Sequence, residues 1–379
     1  MTPQFVTAAP DQPPPPPHLP ASAAPRFHRL LVADVRRETA DAVSIAFDVP
    51  PPLADAFRFV PGQYLTLRTT LDGEEVRRSY SICSGPGDGE LRIAVKRVDS
   101  GLFSAWANGE LTTGDAIEVM SPAGRFGLAA LPGDGRIHIA FAAGSGITPV
   151  LSILRGVLAC EPTSRFFLFY GNRSTADVLF RRELEELKDR FLGRLSVFHV
   201  LSQEEQDLPI LSGRLDADKA RRLLTALVPA AAVDHAFLCG PETMIDDLTT
   251  ALTDLGMSPE AIHVERFVSA YGGQARAHAP LRPDAPAKWH ADLIIDGKRR
   301  SVPVADGETI LDAALRAGLD MPFACKGGMC STCRARLAEG EIEMDVNYSL
   351  EPWELAANFV LTCQSRPRSA RVLVDFDQM

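Results

Sequence analysis

Hydrophobic and polar positions change their rhythm along this 379-residue chain. From Arg26 to Leu131, short apolar and β-branched runs alternate with Gly and Pro turns. Tyr64-Leu-Thr-Leu-Arg68 and Leu91-Arg-Ile-Ala-Val-Lys-Arg97 are such runs, and Pro61-Gly62, Asp72-Gly73 and Pro86-Gly87 are such turns. This pattern predicts an antiparallel β-barrel over 26–131. Beyond it, buried-type strands at Ile137–Ala143, Arg165–Tyr170, Leu195–Leu201 and Ala236–Cys239 alternate with helices at Pro149–Ala159 and around Arg181–Arg190. Strand–helix alternation predicts a parallel, doubly wound α/β domain over 132–268. The rhythm lapses twice. Residues 1–25, with an unbroken run from Pro13 to Pro17, read as a disordered leader, and 269–288, rich in Gly, Ala and Pro, read as a linker. A third domain occupies 289–379, and no internal repeat is present.

That third domain carries Cys325, Cys330, Cys333 and Cys363. The first three form a C-x4-C-x2-C run and the fourth follows at a distance, which is the ligand spacing of a plant-type [2Fe-2S] cluster. Gly327 and Gly328 suit a tight loop whose N–H groups turn toward sulfur. A zinc site competes for the same residues, through the CxxC pair Cys330 and Cys333. It would have to draw its other pair from Cys325 and the remote Cys363.

Composition narrows the setting. The hydrophobic fraction of 46% fills packed cores, and no apolar run is long enough to span a bilayer. The N-terminus lacks the basic patch and apolar stretch of a signal peptide, and cysteines 83, 160 and 239 left beside the four make no disulfide framework. A cytoplasmic protein without a membrane partner is expected. A net charge of −10 argues against nucleic acid and leaves room for a protein partner.

At the first strand–helix junction stands Gly144-Ser-Gly146-Ile-Thr148-Pro149. Two glycines admit a pyrophosphate close to the backbone, and the following helix offers free N–H groups. Pro149 departs from the usual dinucleotide fingerprint but is sterically sound in a first helical turn.

With Arg78-Ser-Tyr80-Ser81 in the barrel, the chain resembles the ferredoxin–NADP reductase family, a flavin barrel followed by a nicotinamide domain. The resemblance implies that Tyr80 packs on the isoalloxazine of FAD, Ser81 bonds near its N5 and Arg78 meets the pyrophosphate. Val95-Lys96-Arg97 resembles the second flavin-contacting strand, and Gly101-Leu-Phe-Ser104 the phosphate-binding turn. Cys239-Gly240-Pro241 resembles the motif whose cysteine lies beside the nicotinamide, although a lone cysteine is also a common core residue. Glu265-Arg-Phe267 resembles the segment whose aromatic ring closes over the flavin. The resemblance further implies an α+β, β-grasp-like fold for the [2Fe-2S] ferredoxin domain, with Tyr80, Ser81 and Cys239 nearest the chemistry.

Two choices remain. After the second strand of the nicotinamide domain no carboxylate follows, and Arg173 stands there instead, which favours the 2′-phosphate of NADPH over NADH. No di-iron or other oxygen-activating site is apparent, so the electrons are expected to leave for an oxygenase component of a multicomponent monooxygenase. The order flavin, nicotinamide, cluster is similar to the reductases of the di-iron phenylacetyl-CoA epoxidases. Arg77–Cys83, Ala143–Pro149, Ala324–Cys330 and Asn347–Pro352 carry that likeness. Reductases of Rieske oxygenases such as 3-ketosteroid 9α-hydroxylase share the architecture, and a stand-alone diaphorase or redox sensor is the reading from another class. Glu339, Glu341, Glu343 and Asp345 read either as a docking patch or as a solvated strand face.

Overall fold

The computed structural model describes residues 3–8, 26–127, 134–267, 287–350 and 352–378. Most of the expected leader (9–25) and of the expected linker (268–286) lies outside these residues. Gln4–Thr7, which falls in the expected leader, is a strand, β1, and β13 begins at Ala287, inside the stretch read as linker.

The barrel is built from β2 (Phe27–Thr39), β3 (Ala42–Asp48), β4 (Tyr64–Leu71), β5 (Glu74–Ser81), β6 (Leu91–Lys96) and β7 (Ala116–Met120), with helix α1 (Leu102–Gly109) before β7. Its strand order is β5-β4-β7-β2-β3-β6. Asp72 and Gly73, with φ of 52° and 81°, form the two-residue turn joining β4 to β5. The two ends of the sheet meet beyond β5: Ile82 bridges Ile93, and the Cys83 N–H donates to the Arg92 carbonyl at 2.8 Å. Closure removes both exposed edges and leaves Leu65, Leu67, Ile93, Val95 and Phe103 in one apolar interior.

The α/β domain follows as β8 (Ile137–Ala143), α2 (Ile147–Cys160), β9 (Arg165–Asn172), α3 (Arg181–Arg190), β10 (Leu195–Leu201), α4 (Ala217–Leu227), β11 (His235–Gly240), α5 (Glu242–Asp254) and β12 (Ile262–Arg266). All five strands are parallel, in the order β10-β9-β8-β11-β12. The winding reverses between β8 and β11. Their carboxyl ends therefore flank the crevice where such sheets take ligands. Glu260-Ala-Ile-His263, the single Glu-x-x-His run, is a short 3-10 turn leading into β12.

Barrel and α/β domain form one compact unit. Cys83, Ala94 and Phe126 of the barrel share an apolar cluster with Ile147, Val150 and Leu151 of α2. The Ser152 hydroxyl donates to the Ser84 carbonyl at 2.7 Å, and a Cβ on Gly156 would stand 2.7 Å from Pro61 Cγ. The crevice is thereby built against the barrel in advance of any ligand.

At the opposite strand ends, three histidines stack. The His138 and His235 rings lie 5.6 Å apart, and His235 Nδ1 sits 3.1 Å from His263 Nε2. Burial depresses all three, His263 to about 4. Between pH 6.5 and 4 the unfolded chain therefore binds more protons than the folded one. The stabilisation is full above pH 6.5 and lost as pH falls toward 4, His263 alone contributing about 3 kcal/mol. Denaturant midpoints measured from pH 7.5 to 4.5 are expected to fall across that window, and His263→Gln to flatten the slope.

The third region contains β13 (Ala287–Ile295), β14 (Lys298–Ala305), α6 (Ile310–Arg316), β15 (Arg334–Glu339), β16 (Glu341–Met344), α7 (Pro352–Ala356), β17 (Phe359–Leu361), β18 (Ser365–Pro367) and β19 (Arg371–Asp375). A mixed sheet, β14-β13-β19-β15-β17, has one parallel pair, β13 with β19, and α6 packs its Ile310, Leu311 and Ala314 into the same core. A second sheet, β1-β16-β18, completes this α+β unit. Among the described residues no helix is long and apolar enough to cross a membrane.

Candidate functional site

In the barrel, Tyr80 and Ser81 end β5, with Ser81 buried and Tyr80 partly exposed. The Tyr80 ring leans on Phe103 at 5.4 Å, and Phe103 in turn meets Trp106 edge-on at 5.5 Å. This aromatic stack fixes the plane that Tyr80 offers to a flat ring. Arg78 is exposed, with Nη1 donating to the Arg77 carbonyl at 2.7 Å. Lys96 lies 3.5 Å from Asp41, while Val95 is sealed in the barrel core.

Gly101 caps α1 without a side chain, so the first-turn N–H groups of that helix have no side-chain partner there. Ser104 is buried in the first turn of α1. Its hydroxyl donates to the Gly101 carbonyl at 3.0 Å and accepts the Val98 N–H at 3.1 Å, so its one proton already holds the turn. Backbone N–H groups are left to meet a phosphate. Glycine at 101 is required by that bond, since a Cβ would lie 2.5 Å from Ser104 Oγ.

Across the crevice, the glycines have separate reasons. Gly144 adopts φ +52° with open space before it, and its carbonyl accepts the Tyr170 hydroxyl at 2.9 Å. Gly146 is demanded by space: a Cβ would stand 2.2 Å from the Cys239 carbonyl oxygen. A Cβ on Gly240 would meet Met244 Cε at 2.5 Å. Thr148 and Pro149 are buried in the first turn of α2, with Thr148 Oγ1 donating to the Ser145 carbonyl at 3.0 Å. The loop is thus pulled tight against the end of β11 and presents its backbone outward, a cradle that fits a dinucleotide pyrophosphate.

Cys239 is fully buried, and burial pushes its thiol well up, with nearby Glu265 adding to the rise. It is a neutral thiol, not a nucleophile. Glu265 pairs with Cys239 in register on β12, and burial pushes its carboxyl up to about 8. Sequence reasoning placed Glu265 in a motif but assigned it no part. Phe267 packs on the cluster that contains Cys239, Cys83 and Phe126. At the end of β9, Arg173 is more than half exposed, 2.8 Å from Asp177 and 3.8 Å from Asp41. Ser174 and Asp177 close a capping box that fixes this loop.

In the third region the four thiols stand as two hydrogen-bonded pairs, Cys325 with Cys330 and Cys333 with Cys363. The first pair is partly exposed and the second buried. Two plus two suits a two-iron cluster. The Cys325 thiol is pulled down to about 5, chiefly by the hydrogen bond from Cys330, then by N–H groups of Gly327, Met329 and Cys330. Gly327 donates at 3.3 Å. The tight turning expected of Gly327 and Gly328 falls instead to Lys326, Gly328 and Ser331, with φ of 49°, 76° and 51°. Gln364, which sequence reasoning missed, donates to the Lys326 carbonyl at 2.8 Å and approaches Cys363 Sγ at 3.6 Å. It ties the cysteine loop to the turn between β17 and β18 that carries the fourth cysteine. A buried ion pair of Arg334 with Glu354 fixes the chain next to Cys333.

The acidic run is partly spent inside this unit: Glu343 pairs with Arg368 and Asp345 with Arg366, leaving Glu339 and Glu341 exposed.

Comparison with known proteins gives three consecutive family matches: an oxidoreductase FAD-binding domain over 30–127, an oxidoreductase NAD-binding domain over 141–250, and a 2Fe-2S iron-sulfur cluster binding domain over 293–368. The chain is 46% identical over 352 residues to one subunit of the 1,2-phenylacetyl-CoA epoxidase of Escherichia coli, covering 93% of this chain and 98% of that one. It is 35% identical to the ferredoxin reductase component of 3-ketosteroid-9-alpha-monooxygenase from Rhodococcus rhodochrous, covering 92% and 96%. Among solved structures, phthalate dioxygenase reductase superposes with a TM-score of 0.57 at 25% identity, over 92% of this chain and 98% of that one.

Proposed function

Because the chain belongs to the family of FAD-, NAD- and 2Fe-2S-binding oxygenase reductases that includes this component of the 1,2-phenylacetyl-CoA epoxidase, we propose that it delivers electrons from NADPH to the di-iron oxygenase that epoxidises phenylacetyl-CoA. It is an NAD(P)H-dependent flavin iron–sulfur oxidoreductase. The choice of partner rests on one observation, identity of 46% over almost the whole of both chains, against 35% for the ketosteroid relative. The reading places the protein in the cytoplasm.

Once bound, FAD accepts two electrons together and releases them singly, and a [2Fe-2S] cluster relays them one at a time. The chain's own residues orient and insulate. Tyr80, held by Phe103, and Ser81 set the flavin plane; Arg78 and the turn at Gly101 take its phosphates. Gly144, Gly146 and the first turn of α2 seat the nucleotide pyrophosphate, while Cys239 and a mainly protonated Glu265 keep the crevice uncharged at neutral pH. No side chain is assigned as a general base. Cys325, Cys330, Cys333 and Cys363 would hold the cluster, with the partly exposed first pair toward an acceptor.

Reconstitution with the di-iron oxygenase tests the reading: NADPH oxidation is expected to couple to epoxide formation on phenylacetyl-CoA. Coupling to a Rieske oxygenase instead, with none to the epoxidase, overturns it. The same assay tests Arg173. A guanidinium on the 2′-phosphate contributes about 1.5–3 kcal/mol, so Arg173→Ala is expected to raise the NADPH KM roughly ten- to a hundredfold and leave NADH nearly unchanged. Equal changes for both nucleotides remove Arg173 from the site.

A further inference from the structure

Strand β1 serves none of the chemistry above. It lies along the outer edge of β16, antiparallel, with Gln4 opposite Met344, Phe5 opposite Glu343, Val6 opposite Ile342 and Thr7 opposite Glu341. The Ala8 N–H extends this ladder to the Gly340 carbonyl at 3.0 Å. Along the other edge of β16, the Glu341 N–H donates to Ser369 Oγ at 3.0 Å and its carbonyl accepts the Arg368 N–H at 2.8 Å. The Asp345 N–H donates toward the same side, to the Gln364 carbonyl at 3.0 Å.

Backbone groups of an antiparallel strand alternate sides residue by residue. The Ile342 and Met344 amides therefore face β1. On the β18 side Ile342 stands opposite Pro367, which has no N–H to offer. Side chains sort in the same way. Val6 is 8% exposed and shares an apolar cluster with Ile342, Met344 and Trp289, whereas Phe5 is 73% exposed.

A four-residue ladder with one buried anchor barely offsets the entropy of ordering its segment, so the strand belongs among elements that open locally without unfolding the rest. Charged Glu341 and Glu343 flank the buried positions of β16, as edge strands carry when they stand open part of the time.

We propose that the β16 edge is a strand-addition site on the iron–sulfur domain, occupied reversibly by the chain's own N-terminal segment. The site recognises an extended peptide with a β-branched apolar residue at the Val6 position. While β1 is seated, the β16 edge is closed. When β1 leaves, the Ile342 and Met344 amides are open to an extended peptide.

Residue-resolved amide exchange on the full-length holoprotein tests this. Val6→Asp, and deletion of residues 2–8, are expected to speed exchange at Ile342 and Met344 roughly tenfold or more, while Glu341 and Asp345 stay protected and ferricyanide reduction by NADPH is unchanged. Val6→Ile is expected to keep wild-type protection, and a synthetic peptide of residues 1–8 to restore it in the deletion variant. Unchanged exchange at Ile342 and Met344, or failure of the peptide to restore protection, overturns the proposal. Acceleration at all four amides also overturns it, making β1 an integral part of the domain. Protection that varies with protein concentration does so too, since a second copy would then supply the strand.

Discussion

Cys330→Ser is expected to yield a protein with FAD bound and iron reduced from two atoms per chain to a small residue. Cys330 shares a hydrogen bond with Cys325, in the partly exposed pair. A hydroxyl gives up its proton far less readily than a thiol, and a cluster needs the deprotonated ligand. Loss of an outer-shell partner alone costs metal sites up to about a hundredfold, and loss of a ligand should cost at least as much. Oxygenase-coupled turnover is therefore expected to fall about a hundredfold or more. Ferricyanide reduction should survive within about twofold, because the flavin unit has a core of its own to which none of the four cysteines contributes. Iron analysis and visible absorption decide the matter. Two irons retained in the variant would contradict the ligand set.

Gly146→Ala carries the second large effect. Its Cβ would fall 2.2 Å from the Cys239 carbonyl oxygen and 2.6 Å from the carbonyl carbon, both backbone atoms of β11. Neither can swing away, so β11 and the head of α2 must part. Overpacking of this kind costs about 1–3 kcal/mol in stability. The larger consequence is positional, since a misplacement of about 1 Å between reacting groups slows reaction roughly a hundredfold. Stopped-flow bleaching of the flavin by NADPH is expected to slow by about that factor, with dithionite still reducing the flavin normally. Gly144→Ala makes a control of different character. Nothing lies within 4 Å of its Cβ, so it meets only the backbone penalty at φ +52°, about 1–2 kcal/mol. Equal rates for Gly146→Ala and wild type would show that the tight seat of the loop is irrelevant to hydride transfer.

These two sites were legible for related reasons. Cysteine spacing and glycine pairs are chemical requirements that leave few substitutes, so they show through a single sequence. Strands such as Ile137–Ala143 and Leu195–Leu201 fall on their expected bounds because a buried parallel strand is apolar throughout. Helices α4 and α5 were not anticipated, although each shows one apolar face over Leu223 and Leu224 or Ile245 and Leu248. Their mixed composition sits between loop-like segments, which hides the period. Roles set by distant partners were beyond reach altogether. The Ser104 hydroxyl joins Gly101 to Val98, a contact that no sequence pattern reports. Gln364 gained its importance from Lys326, 38 residues away in the chain. Lys326 and Ser331 take left-handed conformations that their residue types do not advertise, while neighbouring Gly327 does not. β1 had the least signal of all, four residues leading toward a proline run.

The pairing of Val6 with Ile342 also sets a timetable for biosynthesis. β1 is translated before its partner β16, with the barrel and the parallel sheet between them, so on the ribosome it waits while those elements are made. Throughout that interval an unpaired strand with an exposed Phe5 is available to anything nearby, including nascent neighbours on the same message. Docking of β1 therefore has to await synthesis of β16, which lies in the same domain as the four cysteines.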